Sequence, residues 1–427
     1  MTSAPTQSAS SPPDRIARVQ RRTLAVLSAA QIVGGVGVAV GLALSSVVVD
    51  ELSKSTVISG FAGTATVLGA ALLALPTARA AGRGGRRAGL SLAYVAALAG
   101  CLVSVLAISL GTWPLLLAGL VLVGGGSAGS LAARYSATDL SPRDRSARHL
   151  SLVVWASTIG SVAGPNLAKP ADQIGMRLGL VEKAGPFAFA ALAFGLALLV
   201  ILVLLRPDPL VLAREVHGTR EESRGRRGTI RTALQTLRTT PMARHALVMI
   251  AVSHTAMVSV MSMTPVKLHH DGSNLDVIGL VISLHIAGMY VLSPVVGWLA
   301  DKAGKLPVLV LGMGLLLSAA ALAGTAGHRV WQVTAALVLL GLGWSCGLVA
   351  GSALVTESVP LERRTAVQGL SDLLMNVCGA TGTIIAGAIV GLLGYGVLGL
   401  VVGIMVAVSG LWLVTVWRRS TGERRSR

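Results

Sequence analysis

Asp139-Leu-Ser-Pro142-Arg-Asp-Arg145 returns about 218 residues later as Glu357-Ser-Val-Pro360-Leu-Glu-Arg363, with acid, proline and arginine at the same spacing. Two further pairs keep nearly the same offset: Gly160-Ser-Val-Ala-Gly164 is echoed by Gly379-Ala-Thr-Gly382, and Gly85-Arg86 by Gly304-Lys305. The chain is a tandem of two related halves. Because its long segments are apolar, the repeat predicts a transporter built around a central membrane site.

Of the 427 residues, 53% are hydrophobic and only 13% charged, which is not a soluble composition. The apolar residues form blocks of about 20, enough to cross a hydrocarbon core. Twelve spans are expected, at 24–49, 57–78, 88–110, 113–136, 147–169, 186–205, 242–266, 276–300, 307–327, 330–356, 365–393 and 396–417. At these lengths only helices satisfy their own backbone hydrogen bonds in lipid, whereas barrel strands are shorter and alternate in polarity. The fold class is therefore all-α and polytopic, with six-helix bundles at 24–205 and 242–417. The remainder is an N-terminal tail (1–23), a central loop (206–241) and a basic C-terminal tail (418–427).

A formal charge of +18 raises the question of nucleic acid, and its placement answers it. The basic residues lie between apolar blocks and alternate in density from loop to loop, a pattern of membrane topology rather than of a phosphate-binding surface. Thirty Lys and Arg fall on one side and six on the other: Lys54, Lys169, Arg177, Lys183, Lys267 and Arg329. Both termini are expected in the cytoplasm, and the chain in a cell (plasma or bacterial-type inner) membrane. The apolar stretch after Met1–Arg22 is too long for the core of a cleaved leader and reads as a retained first span. In the central loop, Arg206 to Gly228 is expected to be mobile, and Ile230, Leu234 and Leu237 predict a short amphipathic surface helix. Cys101, Cys346 and Cys378 lie far apart inside apolar segments and read as small packing residues.

The strongest local motif is Gly297-Trp-Leu-Ala-Asp301-Lys302-Ala-Gly304-Lys305, at a tight turn between spans eight and nine. Glycines allow the bend and close helix approach. Asp301 is expected to accept hydrogen bonds from the N-terminal amides of the following helix, and the lysines to act as anchors. The first-half copy, Pro76-Thr-Ala-Arg79-Ala-Ala-Gly82-Arg83-Gly-Gly85-Arg86-Arg87, keeps glycine and basic residues but has Gly82 in place of the acid. In span five, Gly160, Gly164 and Pro165 combine a close-packing pair with a helix-bending proline.

These motifs, with the twelve spans, the two related halves and the long central loop, resemble the major facilitator superfamily over the whole chain. The turn after span eight is similar to that family's motif A. The resemblance implies two six-helix bundles rocking about a midplane cavity. It also implies that Asp301 helps latch the cytoplasmic side, with Gly297, Lys302, Gly304, Lys305, Gly85 and Arg86 around it. The Gly160–Pro165 stretch resembles part of the motif found on antiporters of the superfamily, with Ser151 at the upstream glycine position. Its proton-linked drug antiporters carry an arginine deep in span four. Here Arg134 stands only at that span's end, and a pairing with Asp139 or Asp144 is expected.

Polar residues inside membrane spans are costly and hence candidates for function. Gln31, His254 with Met257, His285 and Asp372 are the candidates for lining the substrate cavity or coupling to protons. Histidine titrates near neutral pH, while the bland alternative is a hydrogen bond to a neighbouring helix. Met257 and Met261 read as packing rather than a soft-metal site, and His269-His270-Asp271 as a solvated loop. No phosphate loop, dinucleotide fingerprint or hydrolase motif occurs, so no cofactor, metal or enzymatic activity is expected. The function expected is secondary active transport of a small organic molecule by alternating access, as ion- or proton-coupled efflux. Proton-coupled uptake and a transporter-like sensor are the alternatives. Expected partners are the substrate, the bilayer and protons, with no nucleic acid and a monomeric state.

Overall fold

The computed structural model describes residues 12–218 and 230–425, and the outermost parts of both tails and 219–229 of the central loop lie outside it. Sixteen α-helices account for nearly all of the described chain. The first half holds α1 (Pro12–Ala43), α2 (Ser45–Ser53), α3 (Thr56–Ser59), α4 (Phe61–Ser109), α5 (Trp113–Ser136), α6 (Ser146–Arg177) and α7 (Gly185–Leu204). The connection carries α8 (Pro209–Val216) and α9 (Ile230–Thr239). The second half holds α10 (Pro241–His270), α11 (Leu275–Tyr290), α12 (Ser293–Ala303), α13 (Lys305–Thr325), α14 (Val330–Ser358), α15 (Leu361–Leu393) and α16 (Tyr395–Arg425).

Ten helical segments are long and apolar enough to cross a membrane, or eleven when the bent pair within 143–177 is counted. One of the ten, α4, is a helical hairpin and not a rod. Its backbone leaves helical geometry at Gly85 (φ 84°, ψ 177°). In a straight helix Thr77 and Gly89 would stand about 18 Å apart, yet a Cβ at Gly89 would lie 2.8 Å from the Thr77 carbonyl oxygen. The chain therefore reverses between them, and the arms 61–84 and 86–109 run side by side. The same conformation recurs at Gly304 (φ 99°, ψ 152°), between α12 and α13. Both positions are in the φ-positive region that glycine tolerates without steric cost.

Both ends of the described chain come to one face, called here the basic face. Gln20 Nε2 donates to the Ala137 carbonyl at 2.7 Å, and Trp417 shares a surface recess with Gly304, Lys305 and Glu357. On the opposite face Lys183 pairs with Glu51, and Asp271 with Lys267 and His328. The large apolar side chains exposed along the helices, among them Leu72, Leu102, Leu192, Leu400 and Leu411, form the surface a bilayer would cover.

Residues 206–218 of the central connection are more ordered than their composition predicts, and the rest of the stretch expected to be mobile, 219–228, lies outside the described residues. Asp208 caps α8 by accepting from the Leu210 and Val211 amides at 3.0 and 3.2 Å, and Pro209 stands in the first turn, where its missing N–H is not needed. Leu210 and Ala213 are buried, so this stretch is a docked helix and not the mobile segment expected there. In α9, Ala233 and Thr236 are buried while Ile230 and Leu234 stay exposed.

Candidate functional site

A cavity of about 280 Å³ lies between the halves. Its first-half wall, from α1, α5 and α6, presents Gln31, Ser127, Ser130, Ser157 and Ser161. Its second-half wall is aromatic and thioether-rich, with Met257, Met289, Tyr290, Trp344 and Met375 around His254. The polar wall is ordered by Gln31, whose Nε2 donates to Ser157 Oγ at 2.7 Å and to Ser130 Oγ. On the aromatic wall Trp344 Nε1 donates to His254 Nδ1 at 3.0 Å. The Tyr290 ring meets the Trp344 ring edge-on, with centroids 5.7 Å apart. Since Nδ1 accepts, the neutral His254 ring carries its proton on Nε2.

The cavity ends toward the basic face at Arg134, which is 1% exposed. Its Nη2 donates to Asp372 Oδ1 at 2.8 Å and its Nε to Ser352 Oγ at 3.2 Å, both across the halves. The guanidinium also lies over the Tyr135 ring, and Tyr135 OH donates to Ser371 Oγ at 3.0 Å. The expected pairing of Arg134 with Asp139 or Asp144 is corrected. Asp139 is taken by Arg86 (2.7 Å), and Asp144 pairs with exposed Arg145. Depth decides: Arg134 and Asp372 reach the same buried level from opposite halves, where an unpaired charge would be far more costly than at the surface.

Below this pair lies a second tier. Arg86 Nη2 donates to Gln368 Oε1 at 2.7 Å while its Nε holds Asp139. Lys305, the second-half counterpart of Arg86, pairs with Glu357 at 2.9 Å, the counterpart of Asp139. The sequence repeat thus marks two equivalent ion pairs. Asp301 accepts from the backbone amides of Ala147 and Arg148 at 3.1 and 2.9 Å. Its capping contact is therefore with α6 of the other half, not with the following helix as expected. Lys305 Nζ stands 3.3 Å from Asp301, whereas Lys302 lies over the Trp298 ring and takes no part in the contact.

Gly297 and Gly369 set how closely the halves approach. A Cβ at Gly297 would fall 2.2 Å from Ser151 Oγ, and one at Gly369 would fall 2.4 Å from Ala78 Cβ. Gly82 sits where an acid would face α15, its hypothetical Cβ 3.2 Å from Thr365 Oγ1. The α8 segment fills part of that role: Arg214 Nη1 donates to the Gly82 carbonyl at 3.0 Å, and Asp208 accepts from the Arg87 amide at 2.7 Å.

The remaining candidates fall in different places. A Cβ at Gly160 would lie 2.6 Å from the Gly35 backbone, and one at Gly164 would lie 2.2 Å from Ala39 Cβ, so α6 crosses α1 closely beside the cavity. The helix bends by 55° between Gly164 and Asn166; the side chain of Pro165, at the bend, lies outside the described ones. His285 is away from the cavity, fully buried, and its Nδ1 donates to the Leu337 carbonyl at 2.7 Å. On the face opposite the basic one, burial opposes ionisation of Asp271, but hydrogen bonds and charge from Lys267 and His328 outweigh it and hold the carboxyl below its ordinary range. Among the described residues no group of three or more His, Cys, Asp or Glu is arranged to hold a metal. Sequence reading passed over Arg134 as a site residue. No signal in the sequence singled it out, since the equivalence of positions 134 and 352 does not say which side chains face the other half.

The family model for the Major Facilitator Superfamily matches residues 23–275 and 248–427. The uncharacterized MFS-type transporter YdeG of Bacillus subtilis (strain 168) is 36% identical over 414 residues, covering 97% of this chain and 95% of that protein. The riboflavin transporter RfnT of Brucella anthropi is 26% identical over 375 residues, covering 87% of this chain and 90% of its own. Among solved structures, the human organic anion transporter MFSD10 (TETRAN) superposes with a TM-score of 0.73 at 15% identity, over 92% of this chain and 99% of that one. The fold, the repeat and these relatives lead to one conclusion: the chain belongs to the major facilitator superfamily and is a multi-pass membrane transporter of the secondary type, not an enzyme.

Proposed function

We propose that the protein moves a small organic molecule by alternating access and that the Arg134–Asp372 pair couples this movement to protons. The observation that carries the reading is the position of the pair: buried, shared between the halves, and at one end of the cavity. Ionised Asp372 ties α15 to α5, and a proton on it removes that attraction. The charged groups facing Asp372 are Arg134 from α5 and Arg86 from α4. Removing one partner of a buried pair costs about 3–5 kcal/mol, enough to shift a two-state equilibrium substantially.

Counting the two arms of α4 as separate spans, and the α6 and α11–α12 segments as one each, gives twelve. The excess of Lys and Arg on the basic face then assigns that face to the cytoplasm of the cell membrane. In this reading the structure is closed toward the cytoplasm by contacts across the halves: Asp301 with the Ala147 and Arg148 amides, Arg86 with Gln368, and Glu357 with Ser146. Both cavity walls come from one chain, so a monomer suffices.

The ion pair favours import with protons. A substrate oxygen takes over Arg134 best when Asp372 is neutral, so proton and substrate bind cooperatively. Export in exchange for protons is the second reading, and the bent, closely packed Gly160–Gly164 segment beside the cavity favours it. Liposomes containing a trapped pH indicator separate the two, with a panel of aromatic and heteroaromatic metabolites that includes riboflavin, after the relative named for it. Import with protons acidifies the lumen when substrate is added outside, and exchange alkalinises it. Counterflow without any pH response would remove proton coupling. Binding with no counterflow would leave a sensor.

A further inference from the structure

Arg134 has five N–H groups, and three of them are accounted for by Ser352, Asp372, Tyr135 and Met375 through Nε and Nη2. Its Nη1 is buried and, among the described residues, has no hydrogen-bond partner. A buried guanidinium nitrogen without an acceptor is unfavourable, and Arg134 lines the cavity. Across the cavity wall Gln31 spends its amide N–H groups on two serines, leaving a buried Oε1 without a donor. Two residues that line one space thus each carry an unmet group, of opposite type. Among the described residues lining it, Arg134 is the one with a fixed charge, and no carboxylate lines it directly.

The opposite wall adds shape. Trp344 and Tyr290 are held at a fixed edge-on angle of 82°, and Met257, Met289 and Met375 surround them. Arg134 is near enough to Tyr290 and His254 to interact electrostatically with both. Flat rings and thioethers suit an aromatic face, while the serine-rich wall suits a polar edge. At about 280 Å³ the space is near the lower limit of ordinary ligand pockets, the size of a one- or two-ring compound.

We infer that the transported molecule is an aromatic carboxylate carrying a hydroxyl or amino group, with its carboxylate on Arg134, its ring on the Trp344–Tyr290 wall, and its donor on Gln31. This deepens the transport reading above and rests on it only for the step from binding to movement. A carboxylate oxygen accepts a charge-assisted hydrogen bond from Nη1, whereas a carboxamide offers a single oxygen without charge. A site built around an unmet charged donor discriminates strongly against analogues that leave it unmet.

The test is calorimetric titration of the purified full-length protein with a hydroxybenzoate and an aminobenzoate. Each acid is compared with its carboxamide, and the hydroxybenzoate with its ring-saturated acid. The acids are expected to bind at least about tenfold more tightly than either analogue. Trp344→Leu should weaken the aromatic acids while leaving the acid-to-amide ratio intact, and Arg134→Gln should bring that ratio near one. Because Arg134→Gln also strands Asp372 and can unfold the protein, the ligand series on the unaltered chain decides. Equal affinity for acid and amide, equal affinity for aromatic and saturated acids, or no binding of any acid at millimolar concentration would each overturn the inference. Repeating the titration in buffers of different ionisation enthalpy counts protons. Tight acid binding with no proton taken up would sustain the substrate class while refuting proton coupling, so the two failures are distinct.

Discussion

Arg134 donates to Ser352 across 3.2 Å, and the two residues occupy equivalent places in the two halves, 218 positions apart. Positions equivalent in the repeat thus meet, and one half has placed a charge there while the other has placed a hydroxyl. The charge is answered by Asp372 at 2.8 Å, so an asymmetric ion pair stands at the centre of a symmetric scaffold. Below it the symmetry returns, with Arg86–Asp139 at 2.7 Å and Lys305–Glu357 at 2.9 Å.

Asp372→Asn and Arg134→Met are each expected to lower thermal stability, in line with about 3–5 kcal/mol for stranding one member of a buried pair. The double variant Arg134→Met/Asp372→Leu should recover most of that loss, since a packed apolar pair of similar volume is tolerated there. Melting curves of the four proteins in detergent check this. A double variant no more stable than the worse single would mean that the pair is not the dominant interaction at this level.

Asp301→Ala removes a carboxylate that is 1% exposed and caps α6 across the halves. The loss of a cap and its favourable charge at a helix N-terminus is about 1–2 kcal/mol, or about 5- to 30-fold in the balance between open and closed basic faces. Transport rate should fall while equilibrium affinity for a bound ligand changes little. Initial rates in liposomes and titration in detergent give the comparison, and an unaltered rate would remove the latch.

Gly82→Asp restores the acid missing from the first-half copy of the motif. Its side chain would begin 3.2 Å from Thr365 Oγ1, near the start of α15. A second cross-half cap is expected to favour the closed basic face and slow turnover. Gly369→Val should do the opposite, because its Cβ would fall only 2.4 Å from Ala78 Cβ and force the halves apart. Labelling of a cysteine placed at Gln368, in a background lacking the native cysteines, should fall in the first variant and rise in the second. Changes of the same sign in both would contradict the geometry.

Native thiol reactivity should separate the cysteines. Cys101 and Cys346 are buried and Cys378 is half-buried. Under native conditions a maleimide is expected to modify Cys378 alone, and all three thiols after denaturation. Mass measurement reads the number directly, and fast modification of Cys346 would indicate that α14 is more loosely packed than described.

The helical class, the repeat and the motif turns were legible in the chain itself, because they rest on local quantities: runs of apolar residues and glycine spacing. Gly85 and Gly304 could be matched by eye, and both carry the same positive-φ geometry. What remained hidden were the partners. Asp301 caps a helix that begins over 150 positions earlier, and Arg134 answers Asp372 from the other half. No local pattern encodes such a distance, since a carboxylate at a given depth accepts the same bonds from any donor that reaches it. α8 was likewise unread, as a charged, glycine-containing stretch has no periodicity that announces where it docks.

The amino-acid order by itself thus determined that the chain crosses a membrane as two related helical halves, because hydrocarbon leaves the backbone no other way to satisfy its hydrogen bonds. Tertiary structure alone decided which polar groups meet at the cavity and which of them remain unmet. Those choices depend on helix rotation and depth, through Coulombic and hydrogen-bond energies that vanish within a few ångströms of the wrong register.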